Sequence, residues 1–172
     1  MKQFVRLLSG GDLRSAGKSN DAVLKVRNED DFDELFKCLS YKDKLVRMRA
    51  ADAIEKITLK YPSYLFNHKA DLMDLCCTVT EKKLKWNFAL MVTRLDLTDN
   101  EKEIVWQRLT GWALDGDESK KVRINSIRAM HAIAERDNFY VKDFELATER
   151  VKKENIPSLN ARIEMLTHSN SF

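Results

Sequence analysis

The stretch Val46-Arg47-Met48-Arg49-Ala50 recurs along the chain at an almost constant interval. Its later copies are Leu84-Lys85-Trp86-Asn87-Phe88, Val122-Arg123-Ile124-Asn125-Ser126 and, more faintly, Leu159-Asn160-Ala161-Arg162-Ile163. The first residues of successive copies lie 38, 38 and 37 positions apart. Self-similarity at a fixed period of this length is typical of proteins built from repeated helical units.

Each copy opens an apolar pattern with helical spacing. In the first copy, Val46 is followed by Ala50, Ile54 and Ile57, which places all four residues on one face of an amphipathic helix. Similar apolar stripes predict a second set of helices at about residues 30–40, 67–79, 99–115 and 140–152. Because no helix pair could bury its stripe alone, we expect the pairs to stack into one continuous core.

Turn residues and composition agree with an all-α fold. Asp99, Asp117 and Asn138 are the predicted N-caps beside the breaks between helices. The 172 residues include only five Gly and two Pro, which leaves little material for the tight turns of a many-stranded β fold. The pattern predicts a single domain, with an N-terminal cap at 1–27, repeats at 28–60, 61–96, 97–136 and 137–167, and a polar tail at 168–172.

The first copy with its flanks resembles a known repeat family. The stretch from Asp43 to Ile54 is similar to the second-helix signature of HEAT repeats, in which a turn Asp precedes a Val-Arg pair, a small residue and an aliphatic residue. Glu81 with Leu84-Lys85 keeps this pattern, and so does Val122-Arg123. The resemblance covers about residues 30–166 and points to small bacterial HEAT-repeat proteins without assigned chemistry.

Two departures from the HEAT pattern are visible. At Ser119 the turn carboxylate is displaced to Asp117 or Glu118. The last unit has Ile156 and Asn160 at signature positions, as a capping repeat would. The resemblance still implies a right-handed α-α superhelix, an armadillo-like solenoid of about four helix pairs with an N-terminal helical cap.

The resemblance also implies roles for individual residues. In HEAT repeats the turn Asp and the helix Arg form a polar ladder between repeats, and the second helices line the concave surface. By resemblance, the ladder role falls to Asp43, Arg47, Glu81, Lys85 and Arg123.

The two predicted helix sets carry opposite charge. Segments 41–60, 81–96, 117–136 and 153–172 hold the recurring stretch and together have a net charge of +7, whereas the segments between them from residue 28 sum to −8. A concave surface lined by one sign of charge attracts the opposite sign. We therefore expect a basic inner ridge formed by Arg47, Arg49, Lys56, Lys85, Arg94, Arg123, Arg128 and Arg162.

One repeat position is polar in every copy, and it is occupied by Arg49, Asn87, Asn125 and Arg162. Polar groups in register could bind an extended chain or a phosphate backbone. The predicted partner-binding residues are Arg49, Trp86, Asn87, Arg94, Asn125, Arg128 and Arg162. The alternative is that these charges serve the ladder and solubility, with Trp86 packed between repeats.

A phosphate-binding loop is suggested and then disfavoured by the sequence. Residues 12–19 end in Gly17-Lys18-Ser19, as a P-loop does, but a P-loop needs Gly where this chain has Asp12. Gly11 lies one position too early, and no parallel sheet is predicted behind the loop. We therefore expect no nucleotide site and no cofactor.

The sequence indicates neither a metal centre nor an enzyme. His68, His131 and His168 lie far apart, and none is three or four residues from another His or Cys. No strand–turn–helix element that would carry a catalytic nucleophile is predicted. Cys38, Cys76 and Cys77 form an odd, unframed set, which is typical of reduced thiols and predicts a cytoplasmic location.

These patterns favour a non-enzymatic scaffold that binds an acidic protein segment on its concave face. We expect a monomer with no membrane partner. One alternative is nucleic-acid binding through the basic ridge, which resembles HEAT-like alkylpurine DNA glycosylases in outline. Another is an accessory role like that of HEAT-like phycobilin lyases, although no residue here indicates a chromophore.

Overall fold

A computed structural model describes residues 1–11 and 17–168, and every regular element within these ranges is helical. The α-helices are α1 (Lys2–Leu8), α2 (Gly17–Lys25), α3 (Glu29–Phe36), α4 (Lys44–Lys60), α5 (Lys69–Thr78), α6 (Lys82–Met91), α7 (Asp99–Leu114), α8 (Lys120–Ala134), α9 (Val141–Lys152) and α10 (Pro157–His168). Short 3₁₀ segments connect several of them. The prediction of an all-α protein is confirmed.

The helices begin with the period of the sequence repeat. α4, α6, α8 and α10 start at residues 44, 82, 120 and 157, which reproduces the intervals of 38, 38 and 37. α3, α5, α7 and α9 match the second set of predicted helices. Both sets of predicted helices are therefore confirmed.

The predicted N-caps are wrong by one or two residues. Thr98 caps α7 in a capping box, in which the Glu101 carboxylate accepts from the Thr98 amide at 2.8 Å. Ser119 caps α8 by accepting from the Val122 amide, and Asp137 caps the 3₁₀ segment Asn138–Tyr140. The side chains of Asp99, Asp117 and Asn138 lie close to these caps in sequence but do not fill the N-cap position.

The chain divides into two compact units, Met1–Ala70 and Asp71–Phe172, where the repeat pattern predicts one domain. The first unit is built around α4, against which α1, α2 and α3 pack. α1 and α2 lie within residues 1–27, for which the sequence predicts an N-terminal cap. The buried apolar residues of this unit include Phe4, Leu8, Phe32, Leu35, Val46 and Ile54.

The second unit is built around α8, which contacts α6, α7, α9 and α10. Its buried apolar residues include Phe88, Met91, Leu109, Val122, Val151 and Ile163. The two helix sets therefore share one core, because α7 and α9 pack against the repeated helix α8. No described helix is both long and apolar enough to cross a membrane.

The register of the repeat is the same in both units. The residues four positions after each anchor, Ala50, Phe88, Ser126 and Ile163, are all fully buried. The side chain at this position thus sets how closely each repeated helix approaches its neighbours.

We predict that Ala50→Leu lowers the free energy of unfolding by roughly 1–3 kcal/mol, because extra methylenes overpack a filled core. Urea unfolding measures the change. Leu59→Ala is the control, since Leu59 lies on the same helix and is 68% exposed. Equal stability of Ala50→Leu and the parent chain would contradict the packing of α4.

Candidate functional site: the basic face of the repeated helices

Three repeated helices lie side by side in the second unit, because α8 packs against both α6 and α10. Trp86 on α6 is half-buried, and the Lys121 ammonium on α8 lies 3.6 Å from the centroid of its ring. This distance is that of a cation–π contact. Asn125 Nδ2 also donates to the Trp86 carbonyl at 2.9 Å. Trp86 is therefore held by α8 through both its ring and its backbone.

Exposed cations continue along the same side of α8. Lys121, Ile124 and Arg128 follow the i, i+3, i+7 spacing of one helix face, and Lys121 and Arg128 are exposed. Arg162 on α10 is half-buried, as is Arg94 in the 3₁₀ segment Val92–Arg94 that contacts α8. We call Trp86, Arg94, Lys121, Arg128 and Arg162 the basic face.

The shared polar repeat position points inward at three of its four occurrences. Arg49 is 4% exposed, and its Nη1 donates to the carbonyls of Leu8 and Gly10, at 2.6 Å each. Asn87 and Asn125 are also buried, and their amides donate to the Lys83 and Trp86 carbonyls.

The expectation that this row presents polar groups to a partner is therefore corrected for Arg49, Asn87 and Asn125. Buried polar groups need hydrogen-bond partners, and here backbone carbonyls of neighbouring turns and helices provide them. Arg162, in the last copy, is the member of the row that retains partial exposure.

Lys121 is a residue of the basic face that the sequence analysis missed. It lies one position before the anchor Val122, outside the recurring stretch. A signal was present, because Lys83 occupies the corresponding position 38 residues earlier. A basic residue at the same place in two copies indicates a cation at a constant position on the helix surface.

Lys85 and Arg123 occupy the position just after the anchor, and each reaches a carboxylate that precedes the next repeated helix. Lys85 pairs with Glu118, which is buried. Arg123 is 1% exposed, and its Nη1 and Nη2 donate to the two Glu154 carboxylate oxygens at 2.8 and 2.7 Å. Its Nε donates to the Ala113 carbonyl at 2.9 Å. This arrangement is a polar connection between successive repeated helices in the second unit.

The other residues given a ladder role lie at the starts of their helices. Asp43 caps α4 by accepting from the Leu45 amide at 2.8 Å. Arg47 donates to the Tyr41 and Lys42 carbonyls at 2.8 and 3.0 Å, which ties α4 to the turn before it. Glu81 precedes α6 as its N-cap residue.

The residues that resemble a P-loop are engaged by the protein itself. Gly17, Lys18 and Ser19 begin α2, while residues 12–16 of the motif lie outside the described residues. The Lys18 ammonium donates to the Ser9 carbonyl, and the Ser19 hydroxyl donates to the Asp52 carboxylate. The groups that would hold a phosphate and a metal ion are thus used in packing the first unit.

Titratable side chains form no obvious reactive centre in the part of the chain that the structure describes. There, no three or more His, Cys, Asp or Glu residues form a group that could hold a metal ion. His68 stacks on Phe36 with ring centroids 4.0 Å apart and pairs with Asp33 at 2.6 Å. Burial raises the pKa of the Cys38 thiol to about 11 and that of Cys76 to about 12. Both thiols are therefore protonated near neutral pH.

No protein-family model, curated protein or solved structure matches this chain. The basic face is therefore assessed on its own geometry. Two exposed cations on α8, with half-buried arginines on the flanking elements and a half-buried indole beside them, can bind a chain that carries repeated negative charge.

We predict that the Glu154 ion pair makes stability depend on pH. Hydrogen bonds from Arg123 lower the pKa of Glu154 from its usual value of 4.5. A carboxyl whose pKa is lowered by folding stabilises the folded state above its unfolded pKa, and this contribution is lost as the pH falls through the folded pKa. The stability advantage of the parent chain over Glu154→Gln should thus be largest above pH 4.5 and shrink below it.

Chemical denaturation at about pH 7 and about pH 3 measures this difference on either side of the usual Glu pKa. Glu149→Gln is the matched control, because it removes an exposed carboxylate of α9 for which the described chain holds no ion pair. The same stability advantage over Glu154→Gln at both pH values would contradict the role given to Arg123.

Proposed function

We propose that the chain is a non-enzymatic scaffold that binds an acidic protein segment on the basic face. The observation that carries the proposal is the line of cations on α8, Lys121 and Arg128, with Arg94 and Arg162 on the flanking elements. Guanidinium groups bind carboxylates through paired hydrogen bonds, so a segment with several Asp or Glu residues fits this surface.

We further propose that the repeated helices belong to a HEAT-like, right-handed solenoid of about four helix pairs, with their second helices lining its concave side. Two observations support this. The helix starts keep the period of 38, 38 and 37 residues. Lys85 and Arg123 each pair with a carboxylate before the next repeated helix, as in a HEAT ladder.

The acidic helices of the second unit support the same choice of partner. Segments 97–116 and 137–152, which contain α7 and α9, have net charges of −2 and −1. These helices repel an acidic segment, while the basic face attracts it. Attraction at the basic face combined with repulsion at α7 and α9 directs an acidic segment to the basic face.

Nucleic-acid binding is the second candidate, because an indole beside cations is also the arrangement that binds single strands. Base recognition of this kind needs a free aromatic face on which bases stack. Here Lys121 lies over the ring of Trp86, so a base that stacks on that face must displace the ammonium group. A protein segment needs no such displacement and is the candidate that the geometry favours.

The proposed scaffold is a cytoplasmic monomer. Its three cysteines are free, with Cys38 and Cys76 buried, which is consistent with a reducing compartment.

We predict that the double substitution Arg128→Glu/Arg162→Glu weakens binding of a labelled poly-glutamate peptide at least about tenfold, which corresponds to about 1.4 kcal/mol. Charge reversal converts attraction into repulsion at exposed or half-buried positions, so the fold should survive. Fluorescence anisotropy at about 50 and about 200 mM salt measures the affinity, which falls with salt where exposed charges dominate.

The matched control is Lys142→Glu/Arg150→Glu, which reverses two exposed cations on α9 outside the basic face and changes the net charge equally. It should leave peptide affinity within about twofold, since neither side chain belongs to the proposed binding surface. Equal loss in both variants would contradict the assignment to the basic face. Tighter binding of labelled single-stranded DNA than of the peptide, lost on Trp86→Ala, would replace the acidic segment by nucleic acid as the partner.

A further inference from the structure

A cleft in the second unit shares no residue with the basic face. It has a volume of about 480 Å³ and is lined by Cys77, Lys85, Ile104, Arg108, Gly111 and Trp112. Cys77 is on α5 and Lys85 on α6, and the other four residues are on α7. Its volume falls within the range of sites that bind small molecules, about 300–1,000 Å³.

Two cations line this cleft, and Arg108 is the one that forms no ion pair within the described residues. It is half-buried, and its Nη2 donates to the Cys77 carbonyl, which fixes the guanidinium against α5. Lys85 differs, because its ammonium pairs with Glu118. Asp115 also borders the cleft, and its Oδ1 accepts from the Asp117 amide at 2.9 Å, so a bound anion must lie on the Arg108 side, away from this carboxylate.

The guanidinium therefore keeps hydrogen-bond donors for a ligand. It carries five N–H donors in a planar fork, and the Cys77 carbonyl is the acceptor that the protein gives it. Such a fork matches the geometry of a carboxylate or phosphate group.

The remaining walls of the cleft are mixed, because Ile104 and Trp112 are apolar while Gln107 adds a polar side chain. Ile104 is 47% exposed, and Trp112 contributes its indole. Gly111 lies between them on α7, and a Cβ at this position would meet no atom within 4 Å. The missing side chain leaves space beside the guanidinium for the body of a ligand.

We propose that this cleft binds a small organic anion, with its carboxylate or phosphate group on Arg108 and its apolar part along Ile104, Gly111 and Trp112. Arg108 orients the charged group of the ligand, while Ile104 and Trp112 provide apolar contact for the rest of it. The proposal does not depend on the function of the basic face.

Cys77 provides a reporter inside the cleft. It is half-buried and lines the cavity, whereas Cys38 and Cys76 are buried. Iodoacetamide should therefore modify Cys77 first, because reaction requires an accessible thiolate. Intact-mass spectrometry with peptide mapping gives the rate constant at Cys77, and a bound ligand slows that rate.

The modification rate of Cys77 is measured at increasing concentrations of phenyl phosphate and, separately, of benzoate, which compares a phosphate with a carboxylate ligand. Benzyl alcohol, a neutral aromatic compound of similar size, is the uncharged control. We expect saturable protection by at least one anion, reaching about tenfold at ten times its Kd, and none by benzyl alcohol. No protection by either anion up to about 10 mM, beyond the millimolar range of weak sites, would overturn the proposal.

Two variants locate the effect. Arg108→Gln should abolish protection by the anion. Protection is the ratio of the Cys77 rates without and with the anion in the same variant, so a change in the intrinsic reactivity of Cys77 does not affect it. Gly111→Leu should also abolish it by filling the space, and this helical position accepts Leu without a clash of its Cβ. Arg150→Gln is the control and should keep the parent's protection. Protection that survives in both Arg108→Gln and Gly111→Leu would overturn the proposal.

Discussion

Arg123 connects three elements of the second unit through its paired hydrogen bonds to Glu154 and its bond to the Ala113 carbonyl. Arg123 is almost completely buried on α8, while its Nε binds the Ala113 carbonyl near the end of α7. Glu154 lies in the turn between α9 and α10. A buried charge is costly unless it is paired, so the positions of these elements depend on one another. One side chain thereby fixes the end of α7 and the start of α10 against α8.

The position of the basic face follows from this constraint. Once Arg123 points into the structure, the helical spacing turns Lys121 and Arg128 to the outside of the same helix. Lys85 has the corresponding inward role on α6, and Trp86 follows it on the side that meets Lys121. The repeated helices thus carry two kinds of cation. Lys85 and Arg123 connect helices, whereas Lys121 and Arg128 lie on the exposed side.

Much of the fold could be predicted from the sequence, because the period of the repeat is a local property of the chain. The helix starts, both helix sets and the burial of Ala50 and Ser126 follow from apolar spacing. The N-caps could not be placed to the residue, since Thr98 and Asp99 are both good capping residues and backbone geometry selects between them.

The candidate site could be predicted only in part. A row of polar residues in register looks the same in sequence whether it binds a partner or a neighbouring backbone. Arg49 and Asn125 prove to be buried because acceptor carbonyls, at Leu8 and Trp86, are brought to them by tertiary packing. The cleft around Arg108 was also missed, because it is formed by residues far apart in sequence: Arg108 contacts Cys77, which lies 31 residues earlier. Contacts of this kind carry no periodic signal in the sequence.

Titration of the ¹⁵N-labelled chain with unlabelled poly-glutamate peptide tests directly whether an acidic segment binds to the basic face. The three tryptophan indole N–H signals act as separate reporters, because Trp86 is half-buried on the basic face whereas Trp106 and Trp112 are 5% exposed on α7. We expect saturable shifts of the Trp86 indole and of the Lys121 and Arg128 amides, with the other two indoles unchanged. Shifts confined to α7 and α9, or no shift at low salt, would contradict it.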